Sequence, residues 1–231
     1  GDLFDSPRPL NRMTEFAYAE LLRLTHADIP VIVLAGNHET PKQKTIGHVF
    51  ALLETLQEQP RSSEIKKGTM IPVYTGTYEQ FTYGDIVFHC VPHCEDQEHF
   101  ETELQKISVH PGKKNIGLFH AGVRGVKEFR EAEFNEQLLS DTFLNTVPFD
   151  YCALGHLHRM IEVQKNVWYA GSTERLSFGE ASQKKGFLMI DTEKNTVTPQ
   201  YIPTRVMTEA SIDAAGLAAH EAYTAIEQKI G

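Results

Sequence analysis

Apolar residues recur at helical spacing near the start of the chain, at Leu10, Met13, Ala17, Leu21 and Leu24. That period predicts an amphipathic helix over about Asn11 to His26 with one face laid on a sheet. Asp28 and Pro30 punctuate it, and the uninterrupted run Val31-Ile32-Val33-Leu34 reads as a fully buried strand within Pro30 to Ala35. Its carboxyl end delivers Gly36-Asn37-His38-Glu39. A second helix is expected over about Thr45 to Gln57, followed by a polar stretch from Gln59 to Gly68. Strands are then expected at Met70 to Thr75, Phe81 to Tyr83 and Asp85 to Val91, a helix at Glu95 to Ile107, and a short buried strand at Ile116 to Phe119 that ends on His120.

Gly122 to Phe134 carries several charges and two glycines, which predicts a surface loop near a site. Phe149 to Leu154 is another buried strand, and it runs into Gly155-His156-Leu157-His158. Val167 to Ala170, Gly186 to Asp191 and Thr196 to Ile202 make the second half β-rich. Asp213 to Ile230 is an alanine-rich helical pattern with a cap at Ser211 or Asp213 and one weak point, Gly216. Helix-strand alternation first and consecutive strands later predict an α/β protein, a four-layer α/β/β/α sandwich with its functional loops at one rim. No internal repeat or low-complexity segment interrupts it. The expected division is one main domain over residues 1–195, with 196–231 as the start of a capping region or a C-terminal appendage.

Charge and cysteine usage narrow the functional classes. A formal net charge of −9 and a pI near 5.7 exclude a surface that is basic throughout. A nucleic-acid ligand would need a local basic rim or bound cations to offset phosphate repulsion. Lys66, Lys67, Lys113, Lys114, Arg124, Lys127, Lys184 and Lys185 are the candidates for such a rim. Cys90, Cys94 and Cys152 are odd in number and form no C-x-x-C pair, so a disulfide framework is not expected and a reducing cytoplasm is the natural setting. His89-Cys90-Val91-Pro92-His93-Cys94 invites a zinc reading, but His89 and Cys90 would point to opposite faces of one strand, which favours a buried thiol and ordinary histidines. No run of about eighteen apolar residues predicts a membrane span.

The chemistry lies in an ordered series of motifs at expected strand ends. Gly1-Asp2-Leu3-Phe4-Asp5, Gly36-Asn37-His38-Glu39, Phe119-His120-Ala121-Gly122 and Gly155-His156-Leu157-His158 supply Asp2, Asn37, His120, His156 and His158 as metal ligands. A bridging carboxylate with oxygen and imidazole donors suits two divalent cations, Mn²⁺, Fe or Zn²⁺. Two such cations about 3.5–4 Å apart activate water for in-line attack on phosphorus. One-residue spacing in an extended segment would put His156 and His158 on one side and turn Leu157 into the core. His38, beside a ligand, is the candidate catalytic acid for the leaving oxygen, the alternative being a role in ordering the turn. Asp5 either orients His38 or a water, or caps the following helix. His26, His48, His110 and His220 have no partner motif and are expected to be exposed.

These motifs resemble the calcineurin-like metallophosphoesterase superfamily, whose series is D-x-H, G-D-x-x-D, G-N-H-[ED], a single H, and G-H-x-H. Asp2 to Ser6 with Arg8-Pro9-Leu10, and Tyr169-Ala170-Gly171-Ser172-Thr173-Glu174-Arg175 with Ser177-Phe178-Gly179-Glu180 and Lys185-Gly186-Phe187, are similar to SbcD-type DNA repair exonucleases. The resemblance implies that Asp2 bridges two metals, that Asn37, His120 and His156 complete one site, that His158 serves the other, and that His38 is catalytic. It implies Mn²⁺-dependent cleavage of DNA, a homodimer and a coiled-coil ATPase partner of the SbcC type. Arg124, Lys127 and Arg175 are then the expected substrate contacts. Asp5 stands where eukaryotic and archaeal relatives usually carry His. The D-x-H motif is expected upstream of residue 1, leaving the His158 ion with two visible ligands. Two rival readings share the motifs: a general phosphoesterase on other phosphate esters, and a non-catalytic scaffold.

Overall fold

The computed structural model describes residues 1–43, 45–55, 62–127, 136–208 and 211–230. Helix α1 spans Asn11–His26, and strand β1, Val31–Leu34, pairs in parallel with β2, Met70–Val73. A six-stranded sheet has the order β3 (Glu79–Tyr83), β4 (Ile86–Val91), β5 (Lys114–His120), β8 (Tyr151–Gly155), β10 (Val167–Tyr169) and β9 (Ile161–Gln164). Its four inner strands run parallel, and β3 and β9 close the edges antiparallel. Two-residue strands β6 (Gly122–Val123) and β7 (Leu138–Leu139) pair beside it, and β11 (Gly186–Asp191) forms an antiparallel hairpin with β12 (Thr196–Tyr201).

Three apolar clusters make the layers. Tyr18 of α1 and Leu53 of α2, Ala51–Thr55, pack with Phe50 against Val33, Ala35 and Met70 on the outer side of β1 and β2. Ile71, Val73, Ile32 and Leu34 on the inner side meet Phe81, Phe88, Cys90 and Leu118 of the large sheet. The opposite face of that sheet, with Val91, Phe119, Cys152, Leu154 and Tyr169, is covered by Phe100 and Leu104 of α3, Gln97–Leu104, and Leu144 of α4, Asp141–Thr146. Helix, sheet, sheet and helix therefore stack in the expected four-layer order.

Local departures have local causes. In α1 the predicted stripe is only partly inward: Ala17 and Leu21 pack on the core, while Leu10, Met13 and Leu24 are exposed. The buried face is rotated toward Tyr18, whose hydroxyl donates to the Val49 carbonyl. Helix α2 begins at Ala51 rather than Thr45, and residues 56 and 57 of the expected helix lie outside the described residues, as do 128–134 of the expected loop. Helix α3 starts after Asp96, whose side chain accepts from the His99 N–H at 2.8 Å. The last helix, α5, spans Ala219–Ile230, six residues later than expected at its start. A division at 195/196 falls in the turn of the β11–β12 hairpin.

Register delivers the site. His120 at the end of β5 pairs with Gly155 at the end of β8. The His93 N–H donates to the Ala35 carbonyl at 3.0 Å, tying the end of β1 to the end of β4. Parallel strands of both sheets thus finish at one rim, where open α/β sheets gather functional loops.

Candidate metal centre

At this rim the His120 Nε2 lies 2.9 Å from Asn37 Oδ1 and 3.1 Å from Asp2 Oδ2. His156 Nδ1 lies 3.1 Å from the same Asn37 oxygen. Donor atoms of Asp2, His120 and His156 all fall within 4.8 Å of one another, the one grouping of this kind among the described residues. Burial pushes the His120 imidazole down to about 3, so it is neutral at physiological pH. Burial opposes ionisation of Asp2, but its hydrogen bonds from His120 and the His38 backbone outweigh this and hold the carboxyl well below its usual range.

The neutral His120 ring, the His156 ring, a carboxylate and an amide oxygen therefore converge on one point of the rim. His120 Nδ1 is buried with no hydrogen-bond partner among the described residues. A divalent cation fits this donor set of oxygen and imidazole nitrogen. Glycine makes the convergence possible: a Cβ on Gly36 would lie 2.1 Å from Asp2 Oδ1 and 2.6 Å from His120 Cε1. Backbone conformation is also unusual, with φ of 57° at Asp2 and 97° at His156. Left-handed backbone at a non-glycine residue costs about 1–3 kcal/mol, is held by its surroundings, and concentrates at functional sites.

That conformation corrects the expectation for the H-x-H pair. Strand β8 stops at Gly155, and the turn at His156 sends the two rings apart. His156 joins Asn37, whereas His158 Nδ1 lies 3.1 Å from Glu180 Oε1 and stays outside the cluster. Leu157 packs on the core, as expected. His158 nevertheless lines the same cavity of about 480 Å³ as Asp2 and His156.

His38 stands on the solvent side. Its backbone N–H donates to Asp2 Oδ1 at 3.0 Å, and its ring Nδ1 lies 3.1 Å from the exposed Asp5 carboxylate. The N-cap of α1 is Leu10, with no side-chain cap, so Asp5 is not engaged there. Arg124 and Lys127 are exposed just beyond β6. Arg175 donates to Thr204 Oγ1, the Arg205 carbonyl and the Gln183 carbonyl at 2.6–2.9 Å. Lys185, a candidate for a basic rim, is instead buried and paired with Glu180 at 2.7 Å.

Other histidines also depart from expectation. His48 is partly buried, accepts from the Phe50 N–H at 3.1 Å, and is pushed down to about 4 by burial. His110 is partly buried against Gln80. Buried His89 sits between the Tyr78 hydroxyl and Asn115 Oδ1, and the three thiols are free and buried, so the zinc alternative gathers no ligands among the described residues. Three site-facing groups escaped the sequence reading. Glu39 is fully buried and accepts from the Gly36 N–H at 3.1 Å, with its carboxyl raised chiefly by burial. Glu136 Oε1 lies 3.6 Å from His156 Nε2, and His93 is pushed down to about 4, burial outweighing the opposing charge of Asp2. Glu39 and His93 each had a signal, one directly after Asn37-His38 and the other within the His89 to Cys94 stretch; Glu136 comes from a loop with no motif.

A sandwich whose parallel strands lead to Asn37, His120 and His156 at one rim, gathered there with Asp2, is the arrangement of a metallophosphoesterase. The calcineurin-like phosphoesterase model matches residues 1–160, and the chain belongs to that family, which binds divalent metals. It is 22% identical over 228 residues to the D subunit of nuclease SbcCD from Staphylococcus saprophyticus, covering 92% of this chain and 59% of that protein. It is 29% identical over 212 residues to the DNA double-strand break repair protein Mre11 of Sulfurisphaera tokodaii, covering 87% and 50%. With Mre11 of Methanococcus maripaludis the identity is 30% over 193 residues, covering 80% and 48%. The chain spans about half the length of the curated relatives it matches. Among the described residues no helix is long and apolar enough to cross a membrane.

Proposed function

We propose that this chain is the nuclease domain of a DNA repair enzyme of the SbcD and Mre11 kind, hydrolysing phosphodiester bonds in DNA by a two-metal mechanism. The observation that carries the reading is the convergence of Asp2, Asn37, His120 and His156 at 2.9–3.1 Å on one point of the rim. Asn37, His120 and His156 would hold one ion, His158 would hold the other, and Asp2 would serve both. Divalent cations there, Mn²⁺ before Fe or Zn²⁺ by the resemblance to SbcD-type nucleases, would supply Lewis acidity for water activation and charge neutralisation of the phosphate.

The chain's own residues do the rest. His38, half exposed and 3.1 Å from Asp5, presents the far ring nitrogen to the leaving oxygen and protonates it, while Asp5 holds Nδ1–H in orientation. Arg124 and Lys127 meet the DNA backbone, whereas Arg175, expected as a third contact, is bound to Thr204, Arg205 and Gln183 and holds the signature loop instead. The net charge of −9 favours weak DNA binding by this domain alone, with a homodimer and an SbcC-type ATPase supplying further basic surface. The staphylococcal relative is one subunit of a nuclease, which supports a multi-subunit setting. Residues 1–195 form the nuclease domain and 196–231 the start of a cap. Three free buried thiols suit a reducing cytoplasm.

The test is digestion of end-labelled duplex and single-stranded DNA by the full-length protein, alone and with its ATPase partner, in Mn²⁺, Mg²⁺ and chelator. Cleavage that requires metal is expected. Cleavage in chelator overturns the mechanism. Hydrolysis of a nitrophenyl phosphodiester with intact DNA in every metal favours a general phosphoesterase, and inertness toward both favours a scaffold.

A further inference from the structure

The signature from Gly171 to Gly186 supplies no donor to the cluster of Asp2, Asn37, His120 and His156, yet its polar groups close on one residue. Lys185 Nζ donates to the His158 carbonyl at 2.8 Å, to Glu180 Oε2 at 2.7 Å, and to Ser172 Oγ and Gln183 Oε1 at 2.9 Å. Glu180 Oε1 in turn lies 3.1 Å from His158 Nδ1. The Ser172 N–H donates to the His158 carbonyl at 3.0 Å. Gly171 is held at φ +75°, and a Cβ there would come within 2.8 Å of that same carbonyl.

We infer that Glu180 and Lys185 are a positioning pair for His158, fixing its Nδ1–H tautomer and its backbone so that the Nε2 lone pair is presented to the cavity it shares with Asp2 and His156. The step from geometry to tautomer is short. Glu180 Oε2 accepts from Lys185 Nζ and the Leu176 N–H, and Oε1 accepts from the Ser177 hydroxyl, so this carboxylate meets its surroundings as an acceptor and the hydrogen between it and His158 sits on Nδ1. The lone pair is then on Nε2. Histidines that ligate metals are commonly oriented in this way, by a carboxylate or carbonyl on the other ring nitrogen.

A purely structural ion pair is the competing account, and burial argues against it. The side chains of Lys185 and Glu180 are 1% and 9% exposed, and buried pairs of this kind are weak sources of stability. Here each charge also touches His158, one at the ring and one at the backbone. His158 itself is 44% exposed at the cavity, so packing alone does not lock its ring. The same pair explains why the sequence spaces Glu180 five residues from Lys185 after a glycine turn: the short 3-10 turn Phe178–Glu180 aims the carboxylate back under His158.

The metal purpose rests on the phosphoesterase reading, while the tautomer does not, and the experiment separates them. Histidine ring ¹⁵N correlations on the metal-free full-length protein should show His158 protonated at Nδ1. Glu180→Leu with Lys185→Met removes both buried charges at similar volume; it should fold, shift His158 toward the Nε2–H form, and weaken Mn²⁺ binding by calorimetry about 10–100-fold. In Glu180→Gln, Lys185 and the Leu176 N–H hold the single amide oxygen at the Oε2 position, so the NH2 faces His158 Nδ1 as a donor; this variant should also shift His158 toward the Nε2–H form and weaken Mn²⁺ binding. An Nε2–H tautomer in the parent protein overturns the inference. So does a double variant that keeps both the Nδ1–H form and the parent affinity. Nδ1–H with no Mn²⁺ bound by the parent overturns the metal reading, and with it the positioning role.

Discussion

The His38 backbone N–H donates to Asp2 Oδ1 at 3.0 Å, while the His38 ring faces outward. One residue therefore makes two separable contributions. Its main chain locks the loop after β1 onto the first ligand, and its side chain is left for substrate.

Replacing His38 with alanine should leave that main-chain contact in place. Mn²⁺ affinity by calorimetry is expected to stay near the parent value, while turnover on DNA falls by about 10²–10⁴-fold. A parallel loss of metal would make the ring a ligand or a folding group.

Gly36→Ala should do the reverse. The new Cβ would lie 2.1 Å from Asp2 Oδ1 and 2.6 Å from His120 Cε1, so both donors must move. The expected result is a folded protein, by circular dichroism, with metal binding reduced at least as much as by Asp2→Ala. Unchanged metal affinity would show that the donors relax around the methyl.

Much of this was legible in the sequence, for reasons that also explain the gaps. Val31 to Leu34 and Ile116 to Phe119 are continuous apolar runs, the pattern of a strand packed on both faces, although in the first only Val33 is fully buried. Asn37 and His120 follow such runs directly, so their place at the rim followed from strand ends alone. His156 and His158 were visible as ligand types, but their divergence was not, because it depends on a φ of 97° that only the assembled site imposes. Strand β9 and helix α4 are short elements whose existence rests on the packing of Ile161 and Leu144 into the core beside Tyr169 rather than on period. Lys185 illustrates the same limit: its charge suggested solvent, and Glu180 supplied the partner that buried it.

Acid should destabilise the metal-free protein in two stages. His48 and His93 are held near 4 and His120 near 3 by burial, against about 6.5 for an unperturbed imidazole. The unfolded chain thus binds more protons than the fold between those values, so the stability is fully present above about 6.5 and declines as pH falls toward 3–4. Glu180, held near 2 although burial raises it, because Lys185 and His158 outweigh that effect, contributes stability that is intact above its ordinary 4.5 and lost only below it. Calorimetric melting at pH 7.5, 5.5 and 4 should show Tm falling before the carboxylate range is reached. A Tm that is flat from pH 7.5 to 5 would contradict buried neutral histidines.

Arg175 and the Arg124 and Lys127 pair should separate structure from substrate. Arg175 makes three guanidinium hydrogen bonds, two that tie the signature loop to residues 204 and 205 and one within the loop to the Gln183 carbonyl, so both terminal nitrogens are engaged. Arg175→Ala is expected to lower Tm and open the segment around Thr204 to hydrogen exchange, with little change in KM for DNA at temperatures where it stays folded. Arg124 and Lys127 are exposed, so alanine at both should leave Tm within error, raise KM, and reduce the salt slope of DNA binding by about one for each phosphate no longer neutralised. The two results are independent. If Arg175→Ala instead raises KM at unchanged Tm, its guanidinium leaves Thr204 to meet phosphate, and the substrate path runs along the signature loop rather than past β6.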